Sequence, residues 1–479
     1  MLLLRPLSQN TADMTLREYV PFYKRNLKVA FPVMITQAGQ VLVQLADNIM
    51  VGHLGAAQLA GVSFANAIIM IGLVFAIGFA QGVTPVVGQH FGKGDGRAVA
   101  VALSNSAALN AIMAVVLTGI MLTVGAFMDR MGQDPEVLRY AKQYYFIIVA
   151  GFIPMIAFFN VRFFSEGIGN TRNEMWITIG TNILNIFLNW VLIYGKLGAP
   201  ALGVAGAAWS TLISRVLGAI AFLIILFRVE EYRKFVRLTP RRAVHLREML
   251  RQLKLSLPIS LQNLLEVTAF SFAAIMVGWM GKYQLAAHQI AQNLSSLSFM
   301  IATGIGAAAT IRVSHQFGAG RRQDAYHAGI AAVHMAVAIM VFFGLLFISL
   351  HRIIPFIYTE DPAVIPIAGR LIIILALYQV FDAVQLASRS SLLGLKDINI
   401  PTVFSGISYY VICLPSAYLL GFTFGLGPDG VWIGLLLGLA VAALLFNVRF
   451  RRVCRRYIAQ GNYDYRENSL HASPSHSEE

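Results

Sequence analysis

Three acids, Asp47, Glu266 and Asp382, stand inside long apolar runs of this chain. Glu266 is the single charge of SLQNLLEVTAFSFAAIMVGW, residues 260–279. A charge at the centre of a bilayer costs at least about 2.5 kcal/mol. Three such acids therefore point to cation or proton sites facing a wet cavity, the plain alternative being hydrogen-bonded acids that tie helices together. Tyr378 and Asp382 are four residues apart, so they share a helical face. A carboxylate and a phenol oxygen there could meet Glu266 from another span. Oxygen donors of this kind suit small hard cations, a rule stated for divalent ions that we extend to Na⁺. A second polar set comprises Asp47 with Asn48, Asn185 and Asn189 in TNILNIFLNW, and Ser210 and Thr211 further on. For the asparagines the plain alternative is interhelical hydrogen bonding, worth about 0.6 kcal/mol each in bilayers.

The elements that must position these groups follow from composition. The chain has 479 residues, of which 57% are hydrophobic and 13% charged. Soluble domains carry about 25% charged residues. Apolar runs of about 20 residues, enough to cross about 30 Å of hydrocarbon, recur along the chain. A lipid-facing backbone must satisfy its own hydrogen bonds, so the spans are helices, and the short alternating segments of a barrel are not seen. The expected fold is an all-α polytopic membrane protein with twelve transmembrane helices. The spans fall near 29–51, 60–87, 98–127, 138–161, 175–195 and 202–227, then 255–279, 285–311, 325–350, 364–388, 399–422 and 429–448. Cys413 lies in an apolar run and Cys454 in a basic tail, so no disulfide framework is expected. The opening MLLLRPLSQN is too short an apolar run for a signal peptide.

Charge assigns sidedness. Of 37 Lys and Arg, 29 fall in the N-terminal arm, the even-numbered loops and the C-terminal tail, and seven on the other side. Arg215 falls inside a span. This asymmetry predicts that both termini are cytoplasmic, and the expected location is a bacterial-type plasma (inner) membrane crossed many times. Because the charges follow the loops, the net charge of +14 is a topology signal, and nucleic-acid binding is set aside.

The chain also repeats. GHLGAAQLAG (52–61) matches GWMGKYQLAA (278–287) at an offset of 226, where Pro32 also meets Pro258 and QHFGKG (89–94) meets HQFGAG (315–320). At offset 227, Arg162 meets Arg389, Gly167 meets Gly394 and Gly203-Val204 meets Gly430-Val431. A duplicated six-span unit gives parallel halves related by a pseudo-two-fold along the membrane normal, with a cavity between them suited to alternating access. The expected organisation is an N-terminal arm (1–28), a six-helix bundle (29–227), a basic linker (228–254), a second six-helix bundle (255–450) and a basic, then disordered, tail (451–479).

QHFGKGDGR lacks the P-loop spacing and reads as a tight turn using glycine at positive φ. His90 and His315 in these loops read as solvated surface histidines. No zinc motif and no nucleophile elbow appear, so an enzyme is not expected and no cofactor is implied. Without a nucleotide-binding domain, the energy source is an ion gradient or transport is passive.

The two six-span halves, LADNIMVGHLG in the first span, the G-x-x-x-x-Q-L-A elements and the QHFGKG loop together resemble the multidrug and toxic compound extrusion (MATE) family over residues 20–455. Glu266 and Asp382 make the chain most similar to the NorM-type branch. The resemblance implies a cation-coupled antiporter expelling small organic cations from its membrane-lipid setting, working as a monomer. It implies a sodium site from Glu266, Tyr378 and Asp382, and a second cation or proton site from Asp47, Asn185, Asn189 and Thr211. A family variant carries an acid where this chain has Asn189, so the amide here lowers the local negative charge. Proton coupling is the alternative to sodium. A lipid-linked oligosaccharide flippase of the wider superfamily is the other alternative, disfavoured because the charges expected within the spans are mainly acidic, Arg215 excepted.

Overall fold

The computed structural model describes residues 14–471 apart from residue 241, and among these the chain is helix and turn throughout. Eight helices build the first half: α1 (Val20–Gly52), α2 (Ala56–Gln81), α3 (Val83–Gly92), α4 (Gly96–Ala126), α5 (Pro135–Ala150), α6 (Phe152–Gly167), α7 (Thr171–Tyr194) and α8 (Val204–Arg228). α2 and α3 run through Gly82 as one span, and α5 and α6 meet at 45° as one broken span. A short α9 (Glu230–Arg237) lies in the connection. The second half holds α10 (Leu246–Met280), α11 (Lys282–Gly318), α12 (Arg322–Leu350), α13 (Ile354–Tyr358), α14 (Ile365–Gly394), α15 (Asn399–Gly406), α16 (Leu414–Tyr418) and α17 (Gly427–His471). π-helical turns over Ile407–Cys413 and Leu419–Thr423 join α15 and α16 into a single span. The described residues thus hold eleven helices able to cross a membrane, or twelve spans with the bent pair counted.

Local chemistry sets many helix ends. Asp95 accepts a hydrogen bond from Ala98 N at 2.9 Å to cap α4, Asp134 accepts from Glu136 N at 2.8 Å to cap α5, and Asn170 caps α7. Pro135 occupies the first turn of α5, where its missing N–H is not needed. The helices outrun the apolar windows. α1 begins at Val20 rather than 29, and α10 begins at Leu246 inside the expected linker. α17 continues to His471, past the expected start of the tail, while residues 472–479 lie outside the described residues. The reason is physical: hydropathy marks the hydrocarbon, whereas LREMLRQLK has strong helix formers and no breaker. The rest of the linker is not a loose tether. Tyr232 and Phe235 of α9 are buried, and the Tyr232 hydroxyl lies 2.5 Å from Ser165 Oγ of α6.

The duplication is visible in the packing. α1 crosses to pack on α11 of the other half, and its counterpart α10 packs on α2. Where the QHFGKG and HQFGAG segments meet, the two halves exchange hydrogen bonds. Gln89 Nε2 donates to the Gly394 carbonyl at 2.9 Å, and His315 Nε2 donates to the Gly167 carbonyl at 2.7 Å. Gln89 and His315 are repeat partners, as are Gly167 and Gly394. His315 is therefore a largely buried bridge rather than a solvated histidine. Gly94 (φ 79°) and Gly320 (φ 75°) make the turns that the sequence predicts. Gly92 and Gly318 serve close approach instead. Each lies hard against the backbone of the opposite segment, at His315 and Gln89 respectively. We call this end, which carries the basic linker, the basic face.

Candidate functional site

Between the halves lies a cavity of about 640 Å³. Its lining includes Glu266 of α10 with Tyr378 and Asp382 of α14, so the fold brings the three predicted residues to one chamber. Tyr378 and Asp382 are buried, and Asp382 lies within electrostatic range of Glu266. Amides from both halves, including Gln37, Gln81, Gln262 and Asn263, line the same space. Trp432 Nε1 donates at 3.1 Å to Nδ1 of His288, another lining residue.

The structure corrects the sequence reading on one point. Glu266 is bound to a cation of the protein itself: Arg389 Nη1 donates to Glu266 Oε2 at 2.5 Å. The apolar window ends at 388 and leaves Arg389 in a loop, yet α14 continues to Gly394 and carries it into the cavity wall. The same holds for Arg162 of α6, a lining residue whose Nε stands 2.6 Å from Glu174 Oε1 and 3.4 Å from Glu166 Oε1. These are charge pairs rather than aligned hydrogen bonds. A signal for both arginines was present, because Arg162 and Arg389 are repeat partners. Equal positions in two halves facing one axis must face each other across it.

The second predicted set also assembles, outside that cavity. Asn189 Nδ2 donates to Asp47 Oδ1, Ser210 Oγ donates to Asn189 Oδ1, and Asn189 Nδ2 reaches Asn185 Oδ1 at 3.3 Å. Asn185 Nδ2 reaches Thr211 Oγ1 at 3.4 Å. The network ties α1, α7 and α8 together. Asn48 beside it is exposed, and Arg215 lies within electrostatic range of Asp47. At the basic face, in the α14–α15 turn, burial pulls the Lys396 ammonium down to about 8, and burial likewise raises the Tyr232 phenol.

The model of the MatE family matches residues 32–191 and again 258–419, two copies that start 226 residues apart. The chain belongs to the MATE family. The double match repeats the register of the internal duplication and covers most of both bundles. A protein described as probable multidrug resistance protein NorM of Agrobacterium fabrum is 32% identical over 451 residues, covering 91% of this chain and 94% of its own. Multidrug resistance protein NorM of Vibrio vulnificus CMCP6 is 32% identical over 437 residues, covering 90% and 95%. Among solved structures, the outward-facing conformation of a multidrug resistance MATE family transporter superposes with a TM-score of 0.83 at 24% identity, covering 91% of this chain and 97% of that one. The eukaryotic MATE transporter AtDTX14 superposes with a TM-score of 0.81 at 19% identity, covering 92% and 99%. These structures share the fold. This MATE chain is a multi-pass membrane transporter and not an enzyme.

Proposed function

We propose that the chain is a multidrug efflux antiporter that expels small organic cations in exchange for Na⁺, with the basic face in the cytoplasm. The observation that carries this reading is the acid-bearing chamber at the interface of two duplicated halves. Glu266 and Asp382 face that chamber with the Tyr378 phenol beside them, and hydrogen bonds between the halves seal the seam at the basic face. Na⁺ entering from outside neutralises part of a site that otherwise holds an organic cation, which then leaves. The halves rock, the seal parts, Na⁺ is released inward and a new substrate binds. Exchanging one Na⁺ for one monocation moves no net charge across the membrane, so the sodium gradient supplies the drive. The NorM-named relatives support the substrate class.

Proton coupling is the second reading, favoured by the separate Asp47 network with its own acid inside the first bundle. The flippase reading gains nothing from the two cavity arginines, because Arg162 and Arg389 are each held by acids rather than free for a pyrophosphate. The deciding experiment is ethidium efflux from de-energised cells given a sodium or a proton gradient alone. We expect sodium to suffice, and Glu266→Gln and Asp382→Asn to abolish the flux. Efflux driven by protons alone and lost in Asp47→Asn would move the coupling site to the first half.

A further inference from the structure

We propose that Arg389 is the resident counter-cation of the Glu266–Asp382 chamber and that it sets the charge of the substrate, admitting monocations and disfavouring dications. The inference rests on the export reading above. Arg389 and Glu266 form a close ion pair at 2.5 Å, with side chains 17% and 9% exposed, and both line the cavity. Asp382 lies two helical turns before Arg389 on α14, hence on the same face, and within electrostatic range of both partners. With both acids ionised, two carboxylates and one guanidinium leave the cluster with one net negative charge. One entering monocation neutralises it. A dication would leave an excess positive charge in a poorly solvated chamber, where charge imbalance is far costlier than in water.

Arginine suits this role. It stays charged, and its planar fork carries five donors, so it can keep one carboxylate while another is engaged by a ligand. An entering cation competes with Arg389 for Glu266, which also explains why coupling ion and drug should exclude one another: the cluster accepts one added charge at a time. At the repeat-related Arg162 only the arginine and Glu166 line the cavity, an opposite-charge pair, while Glu174 on its far side is fully buried. Nor does Asp397, another lining acid, add free charge, because Arg449 holds it at 2.8 Å.

Ethidium and propidium carry the same ring system, the first with one positive charge and the second with two. Binding of each to the purified full chain is read by fluorescence anisotropy at fixed salt. The parent should prefer ethidium. Arg389→Gln should shift the preference toward propidium by at least about tenfold, and Arg389→Lys should keep the parental ratio. A parent that prefers propidium, or an unchanged ratio in Arg389→Gln, overturns the inference while leaving the export reading intact. A parent that binds neither dye overturns the export reading and this inference with it. Should Arg389→Gln fail to fold, Glu266→Gln and the double variant Glu266→Gln/Arg389→Gln carry the test. The single variant makes the cluster neutral and should lose ethidium, and the double variant restores one net negative charge and should regain it. A double variant no better than the single one is equally fatal to the idea.

Discussion

Glu266 shows how much a single residue's partners matter. Its carboxylate is largely withdrawn from water and rests on Arg389. Removing one member of such a pair strands the other, which typically costs about 3 kcal/mol or more, whereas replacing both with matched apolar groups is often neutral. Glu266→Gln should therefore lower the thermal midpoint of the purified protein, and Glu266→Met/Arg389→Met should recover most of the loss. Additive losses in the double variant would show that the two side chains act independently. Asp382→Asn, which breaks no ion pair among the described residues, should change transport far more than stability. The residue types of both candidate sites were legible in the sequence, since acids in apolar runs stand out against their solvent. Their partners were not. Arg389 is 123 positions from Glu266 along the chain, and no spacing rule reaches that far.

At the scale of elements, the α3 and α11 ends are built for close approach. Gly92 and Gly318 each face a carbonyl of the opposite segment, with less room than a Cβ requires. A side chain there must push the halves apart. Gly318→Val should keep the fold of each bundle yet weaken closure at the basic face. A cysteine at Ser390, which lines the cavity beneath this seal, should then react faster with a small charged thiol reagent than in the Gly318 parent. Equal rates in the two backgrounds would mean that the glycines are incidental. The native cysteines do not confuse the measurement, because Cys413 and Cys454 are buried. The turn glycines at 94 and 320 could be read from the sequence, as positive φ is a local property. Gly92 and Gly318 could not, because their reason lies on another element.

For the whole molecule, the hydrogen bonds from Gln89 and His315 form one device in two copies. Rigid halves that rock together make or break both bonds at once, so Gln89→Ala and His315→Ala should be coupled. The double variant should raise thiol access to Ser390→Cys by less than the product of the single effects, since either change already releases the seam. Effects that simply multiply would argue for independent loops. The sequence alone determined the solvent, the helical class, the span count and the duplication. Each of these follows from composition and period, which are properties of the chain read in order. It also named Glu266, Tyr378, Asp382 and the Asp47 set, and the fold brings each set together. The tertiary structure alone decided which cations hold those acids, how His315 is bonded, and where the halves touch. Charge pairing and backbone contact act over a few ångströms of space, and the segments that supply them lie far apart along the chain.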